Sequence, residues 1–280
     1  MTNNILLILF ILSCVSSNIF TQTLDLPPRK ENSLSGSEFA KKVQGLSLEQ
    51  RDEKIINEIF SGNIPSFLRE LVPINFTKTI ENKTYNITIF VTSDYMAVGS
   101  KENYLYTPMS PNTAQSVADS LGFVLPTKKI VDYIYKQADI KFKPQPIPPS
   151  SEMTTVKLFL QHMDSIKTQL PKFLQKRHKN QLIAGHKKDV IISNQIYDYK
   201  YKNVVIYGWH RSINNPIQPV YGKHSYDWVD YSHGIRLVKN NVKINNKYYK
   251  ISNILSDSLL CQLLSDEGII RNPKYPTPSE

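Results

Sequence analysis

Apolar residues along the chain recur with the period of a helix in its first half and with that of a strand in much of its second. Leu48, Ile55, Ile56, Ile59 and Phe60 fall on one helical face, and Gly62 stops that run. Pro65 then predicts a short helix through Phe67, Leu68 and Leu71, closed by Pro73. Tyr85, Ile87, Ile89 and Val91 alternate with Asn86, Thr88 and Phe90, which predicts a strand. Ser93 and Asp94 separate it from Tyr95 to Val98, so the two read as a hairpin packed on the preceding helices. Ser110 followed by Pro111 opens a helix with Ala114, Val117, Ala118 and Leu121 on one face and Gly122 as its stop. A second helix starts at Pro126 and Thr127 and carries Ile130, Val131, Ile134 and Tyr135. A third runs from Thr154 or Thr155 to about Gln175.

Strands dominate afterwards: Val190 to Ile192, Val204 to Tyr207, Ile235 to Val238, and a hairpin of Val242 to Ile244 with Tyr248 to Ile251 turning on Asn245 and Asn246. A Leu-rich helix around Cys261 and a Pro-rich tail end the chain. The fold class that follows is α+β, with N-terminal helices and a hairpin packed on a largely antiparallel sheet.

The first charged residue is Asp25, and the apolar run before it, ILLILFILSCV, is shorter than a bilayer span. Residues 1–22 therefore read as a signal peptide, which implies a secreted or periplasmic protein. A second reading takes Ile11 to Cys14 as a lipoprotein box, with Cys14 lipidated and the chain anchored to a membrane. Either way Cys261 is the thiol that remains of the two cysteines, so an intramolecular disulfide is excluded. Residues 23–46 are polar and hold Pro27-Pro28 and Ser-Leu-Ser-Gly-Ser, which predicts a flexible arm. A single α+β domain is expected over 47–270. The prolines of 144–149 form an extended strap within it, and 271–280 is the tail.

The net charge of +10 adds a class of partner to this picture. An exported basic surface suits anionic cell-wall or glycan material. No nucleic acid is expected, since basic and aromatic residues do not alternate and neither zinc-finger spacing nor a Gly-rich phosphate loop is present. The five basic residues of Lys172 to Lys179 read as a solvated face.

Val204 to Val238 gathers three of the six histidines, both tryptophans, two aspartates and two arginines. Polar residues at strand ends are where chemistry is usually displayed. The catalytic candidates are His186, Asp189, His210, Asp230, Ser232, His233 and Arg236, and the substrate-binding candidates are Lys187, Trp209, Arg211, Tyr226, Trp228 and Tyr231. In a metal-free hydrolase or transferase, His233 acts as base, Asp230 or Asp189 orients it, Arg236 and Lys187 hold an oxyanion or a carboxylate, and Ser232 is the nearest nucleophile. This mechanism needs no cofactor. In a zinc enzyme, His224, Asp230 and His210 or His233 are ligands to the metal. A third reading is a binding module without catalysis, in which Trp209, Trp228, Tyr226 and Tyr231 stack on sugar rings.

The stretch from about Phe60 to Tyr275, with LPTKKIVDYIYKQA, GHKKDV and DYSHGIRLV, resembles a family of exported bacterial proteins that brings no established activity. Separately, Ser232 to Leu237, SHGIRL, is similar to the SHGCIRL signature of L,D-transpeptidases, peptidoglycan cross-linking enzymes. Their nucleophilic Cys, between Gly and Ile, is missing here, so the same thiol chemistry is not implied.

Overall fold

The computed structural model describes residues 22–169, 181–198 and 203–277. Helix α1 (Gly36–Val43) falls within the stretch expected to be a flexible arm, and this corrects that expectation. Ser35 and Glu38 form a reciprocal capping box, and Phe39, Ala40 and Val43 enter the core. Leu24 is buried too, its N–H bonded to Arg69 O at 2.8 Å. Helix α2 (Leu48–Phe60) starts on a second capping box, Ser47 with Gln50.

A 3₁₀ turn, Ser66–Leu68, replaces the short helix expected up to Pro73. Strand β1 (Leu71–Ile80) follows and pairs along its length with β2 (Lys83–Thr92) across the turn residues Glu81 and Asn82. Both turn residues have positive φ, 46° and 61°, as a two-residue hairpin loop requires. Pro73 is tolerated because β1 pairs only with β2 and can spare an N–H at the sheet edge. The expected hairpin partner of β2 belongs instead to a separate pair, β3 (Ala97–Gly99) with β4 (Tyr104–Tyr106).

Helices α3 (Pro111–Leu121) and α4 (Lys128–Gln137) are capped by Ser110 and Thr127, and Gly122 closes α3 in the left-handed region at φ 73°. Two short strands, β5 (Phe123–Val124) and β6 (Ile140–Lys141), flank α4. The strap of 144–149 then leads to α5 (Val156–Lys167), capped by Thr155. The basic run of Lys172 to Lys179 lies outside the described residues.

The second half supplies β7 (Ile183–Ala184), β8 (Lys188–Val190), β9 (Asn203–Ser212), β10 (Asn215–Ser225), β11 (His233–Gly234), β12 (Val238–Lys239), β13 (Asn241–Ile244) and β14 (Lys247–Lys250). Asn245 and Asn246, at φ 46° and 68°, turn the last pair as their type predicts. Helices α6 (Ile251–Ser256) and α7 (Cys261–Leu264) follow, with Cys261 buried. One sheet runs β14-β13-β2-β12-β5 with β1 beside β2, a second runs β10-β9-β8-β11, and β3 with β4 and β6 with β7 form two further pairs. The architecture is α+β. The segment from His233 to Lys239 passes from the second sheet to the first, since β11 belongs to one and β12 to the other. Among the described residues no helix is long and apolar enough to cross a membrane.

Candidate functional site

Strand β8 lies between two strands that carry the motif residues. On one side β11 runs parallel to it, with His233 opposite Lys188 and Gly234 opposite Asp189. On the other β9 runs antiparallel, with Gly208 opposite Lys188 and Tyr207 opposite Asp189. The segments around Gly185-His186-Lys187, Gly208-Trp209-His210 and Ser232-His233-Gly234 therefore meet, as strand-end residues of neighbouring strands must. His186, Lys187, Asp189, His210, Asp230, Ser232, His233 and Arg236 are each at most 2 % exposed.

Most of these side chains form one buried polar cluster, and several partners come from the first half of the chain. Tyr106 Oη donates to Asp94 Oδ2 at 2.8 Å, and His186 Nε2 lies 3.5 Å from Asp94 Oδ1. Tyr95 Oη donates to Asp189 Oδ2 at 2.8 Å. Arg236 donates to Thr92 O at 2.8 Å and to Ile183 O at 2.7 Å, with its guanidinium 4.3 Å from the centre of the Tyr95 ring. It thus ties the crossing segment to the end of β2 and to β7. Lys187 Nζ donates to Tyr231 O at 2.5 Å and lies 3.3 Å from His162 Nδ1.

Asp230 organises the approach to β11. It accepts from Ser232 N at 2.6 Å and from the Ser232 hydroxyl. That hydroxyl is therefore directed at a carboxylate rather than at His233. His233 Nε2 and Lys188 Nζ each lie 3.7 Å from Asp230 Oδ2, and neither His233 ring nitrogen has a hydrogen-bond partner among the described residues.

His210 faces elsewhere. Trp209 sits at φ 57°, a conformation uncommon for a bulky residue, and Gly208 at 114°, so the alternation of β9 breaks here. His210 stacks on Tyr135 with ring centres 4.4 Å apart and approaches Asp132 Oδ1 at 3.4 Å. Asp132 also accepts from Tyr207 Oη at 2.7 Å and from Lys128 Nζ at 2.7 Å. Gly208 separates this group from the larger cluster: a Cβ there would lie 3.5 Å from both Asp189 Oδ2 and the His210 ring.

Burial sets most of the proton affinities. It pushes the Lys187 ammonium down to about 7, against the pull of Asp230 and Asp94. It raises the Asp189 carboxyl to about 6, against Arg236 and the Tyr95 hydrogen bond. His233 falls to about 4, His186 is lowered although Asp94 lies beside it, and His162 is driven far down. Burial alone would raise Asp230, but His233, Lys188 and the Ser232 bonds outweigh it and hold the carboxyl at about 2. At neutral pH the cluster thus presents a neutral His233 beside an ionised Asp230, with Lys187 and Asp189 close to their midpoints.

The expected aromatic platform divides. Trp209 and Tyr231 are buried and pack edge-on against His162. Tyr226 is 36 % exposed, Arg211 is exposed, and half-buried Trp228 stacks on His224 with ring centres 5.6 Å apart. His178 lies outside the described residues. Asp94, Tyr95, Tyr106, Asp132 and His162 are not among the sequence candidates. Asp94 did carry a signal, as a carboxylate at the end of the strongly alternating β2. His162 carried another, as a polar residue on the face of α5 shared with Phe159, Met163 and Ile166.

Among the described residues no group of three or more His, Cys, Asp or Glu side chains is placed to hold a metal ion. Comparison with family models, with curated proteins and with solved structures finds no match.

Proposed function

We propose that the protein is an exported hydrolase or transferase acting on cell-wall or surface glycan-peptide material, with His233 as its base. The observation that carries this reading is the convergence of His233, Asp230, Lys188, Lys187 and His162 on one buried polar cluster in which both His233 nitrogens lack a hydrogen-bond partner among the described residues. Ionisable groups gathered away from water are costly, and functional sites are where they recur. In this mechanism neutral His233 takes the proton of the attacking hydroxyl or water, and ionised Asp230 steadies the imidazolium that forms. Lys187 or Lys188 then stabilises the oxyanion.

Access is through the strap. Tyr231 Oη accepts from Ile147 N at 2.8 Å and lies 3.2 Å from Ile147 O, and Tyr231 O is the acceptor of Lys187. Lifting residues 144–149 off Tyr231 opens the cluster from that side.

The test is product analysis by mass spectrometry after incubating the protein with peptidoglycan, with and without chelator, beside His233→Ala and His210→Ala. New fragments from the wild type, reduced about 10²-fold or more in His233→Ala, are expected for a lost general base. A His233→Ala protein that folds and keeps its full rate overturns the assignment.

A second reading, a glycan-binding module, is favoured by the closure of the cluster and by the exposure of Tyr226 and Arg211 beside half-buried Trp228. Wall-polymer binding that fails in Trp228→Ala and survives in His233→Ala would select it.

A further inference from the structure

A groove of about 520 Å³ opens between the start of β2, the β13–β14 hairpin and the turn that joins α6 to α7. It lies at the β14 end of the first sheet, and none of the catalytic or substrate-binding candidates lines it. That volume falls in the range of small-molecule sites.

The strand register brings its walls together. Ile244 pairs with Ile87 of β2 and with Lys247 of β14, so the ends of three strands lie side by side. Directly opposed residues share a face of a sheet, and so do residues two apart on one strand. Lys83, Tyr85, Ile244, Lys247 and Tyr249 therefore line one face, and all five line the groove. Tyr85 is buried and joins Ile244 and half-buried Leu259 and Leu260 as apolar lining. The Lys83 ammonium lies 5.2 Å from the centre of the Tyr85 ring. Tyr249 is 40 % exposed, so its ring is available to a ligand.

Lys83 and Lys247 are exposed, and neither has an ion-pair partner among the described residues. Asp257 also lines the groove, but its carboxylate is engaged by its own backbone: Oδ1 accepts from Leu260 N at 2.7 Å and from Leu259 N at 2.8 Å, and these bonds hold it below the ordinary carboxylate range. Two lysines against one carboxylate leave an excess of positive charge. Asn245 is fixed by its left-handed backbone, φ 46°, and by accepting from Asn86 N at 2.9 Å. Its amide nitrogen and the Ser258 hydroxyl have no hydrogen-bond partner among the described residues, so both can donate to a ligand hydroxyl. An exposed ring beside unpaired ammonium groups suits a ligand with a flat apolar face, negative charge and hydroxyls, and a sugar acid has all three. Single-stranded nucleic acid shares the charge and the stacking but is held by successive aromatic side chains, whereas Tyr249 is the exposed ring of this groove.

We propose that this groove binds an acidic glycan whose sugar rings carry carboxylates. Tyr249 stacks on one ring, Lys83 and Lys247 hold the carboxylates, and Asn245 donates to a hydroxyl. The site binds without catalysing, and the proposal does not depend on the catalytic reading, because the residues it uses are separate from the candidate base and its partners.

The test is calorimetric titration of the full chain with oligogalacturonate, compared with its neutral methyl ester, with polyglutamate and with oligothymidylate. Saturable binding of oligogalacturonate is expected, weakened at least about fivefold by esterification, as the loss of two exposed charge contacts implies. The double substitution Lys83→Gln and Lys247→Gln, confined to exposed side chains, should weaken the acid to the level of the ester and leave the ester's affinity unaltered. Tyr249→Ala should weaken acid and ester alike, since stacking does not depend on the carboxylate. Absence of saturable binding by oligogalacturonate overturns the proposal. So does equal affinity for acid and ester, or a doubly substituted protein that binds the acid as the wild type does. Polyglutamate bound as tightly as oligogalacturonate would reduce the site to charge alone, and oligothymidylate bound as tightly would make it a nucleic-acid site; either result overturns the assignment to a glycan.

Discussion

Gly234 illustrates how tightly single residues are specified around the cluster. A Cβ at that position would lie 2.6 Å from Tyr95 Cδ1 and 2.7 Å from Lys187 Cβ. The first contact is to a ring fixed by its bond to Asp189, and the second is to an atom next to the backbone, so neither neighbour can yield cheaply. Gly234→Ala is expected to destabilise the fold by about 1–3 kcal/mol, as overpacking does; an unaltered urea midpoint would mean that Tyr95 can move aside. His233, the residue before it, governs acid stability. Burial lowers its imidazole to about 4 in the folded chain from the ordinary 6.5. Between those values the unfolded chain takes up a proton that the folded chain does not, so stability falls as pH falls through this window. The full difference is on the order of 3 kcal/mol. Buried His186 acts in the same direction. Asp189 opposes both: its carboxyl, raised to about 6, binds its proton first in the folded state and adds stability as pH drops below that value. Replacing His233 with Gln should therefore flatten the decline of the urea midpoint between pH 7 and 4, whereas an unchanged slope would assign acid sensitivity to other groups.

At the scale of elements, the parts legible in the sequence are those with local chemistry. Helices α3 and α4 announce themselves by Ser110-Pro111, Gly122 and Thr127, and the β13–β14 hairpin by its two asparagines. Strand β1 was hidden by Pro73, which matters only if the strand's position in the sheet is unknown. Strand β10 was hidden by Pro216 and Pro219, and it too occupies an edge, with register shifts against β9 at Asn215/Pro216, Gln218/Tyr221 and Tyr221/His224. Helix α1 was obscured by the surrounding Ser and Gly, although Ser35 and Glu38 stand at capping-box spacing. The strap was legible because four prolines leave it few conformations, but what it lies against was not. Its contact with Tyr231 gives an element-scale prediction. Tyr231→Phe removes the acceptor of Ile147 N and should weaken strap docking by about 1 kcal/mol. Amide hydrogen exchange at Ile147 should then rise while exchange in α4 stays as it was. Equal rates at Ile147 in both proteins would show that the prolines hold the strap without Tyr231.

Across the whole molecule, half of the candidate site was legible and half was not, for a reason of chain distance. GHKKD, YGWH and YSHGIR could be brought together from sequence because polar residues ending neighbouring strands must meet. Asp94 and Tyr106 arrive from far earlier in the chain, and they are brought beside His186 by long-range pairing such as the Ile183 N–H bond to Ser93 O at 2.8 Å and the passage of residues 233–239 from one sheet to the other. His210 could not have been assigned to Asp132, because the left-handed Trp209 turns it away from the face that strict alternation predicts. The C-terminal tail shows the same long-range logic on the opposite flank of β8. Tyr275 is buried, its N–H bonded to Gln115 Oε1 at 3.0 Å. Its hydroxyl accepts from Val205 N at 2.9 Å and donates to Ile191 O at 2.8 Å. It thus clips α3 to the point where the chain leaves β8 and runs beside β9. Tyr275→Phe keeps the ring and removes both bonds, leaving a buried N–H and a buried C=O short of a partner, which should lower stability by about 1–3 kcal/mol. Because Ile191 directly follows β8, the loosening should also raise hydrogen exchange at Lys188 to Val190, next to the candidate site. A urea midpoint that falls with no change in exchange along β8 would mean that the tail supports the fold without holding the site in place.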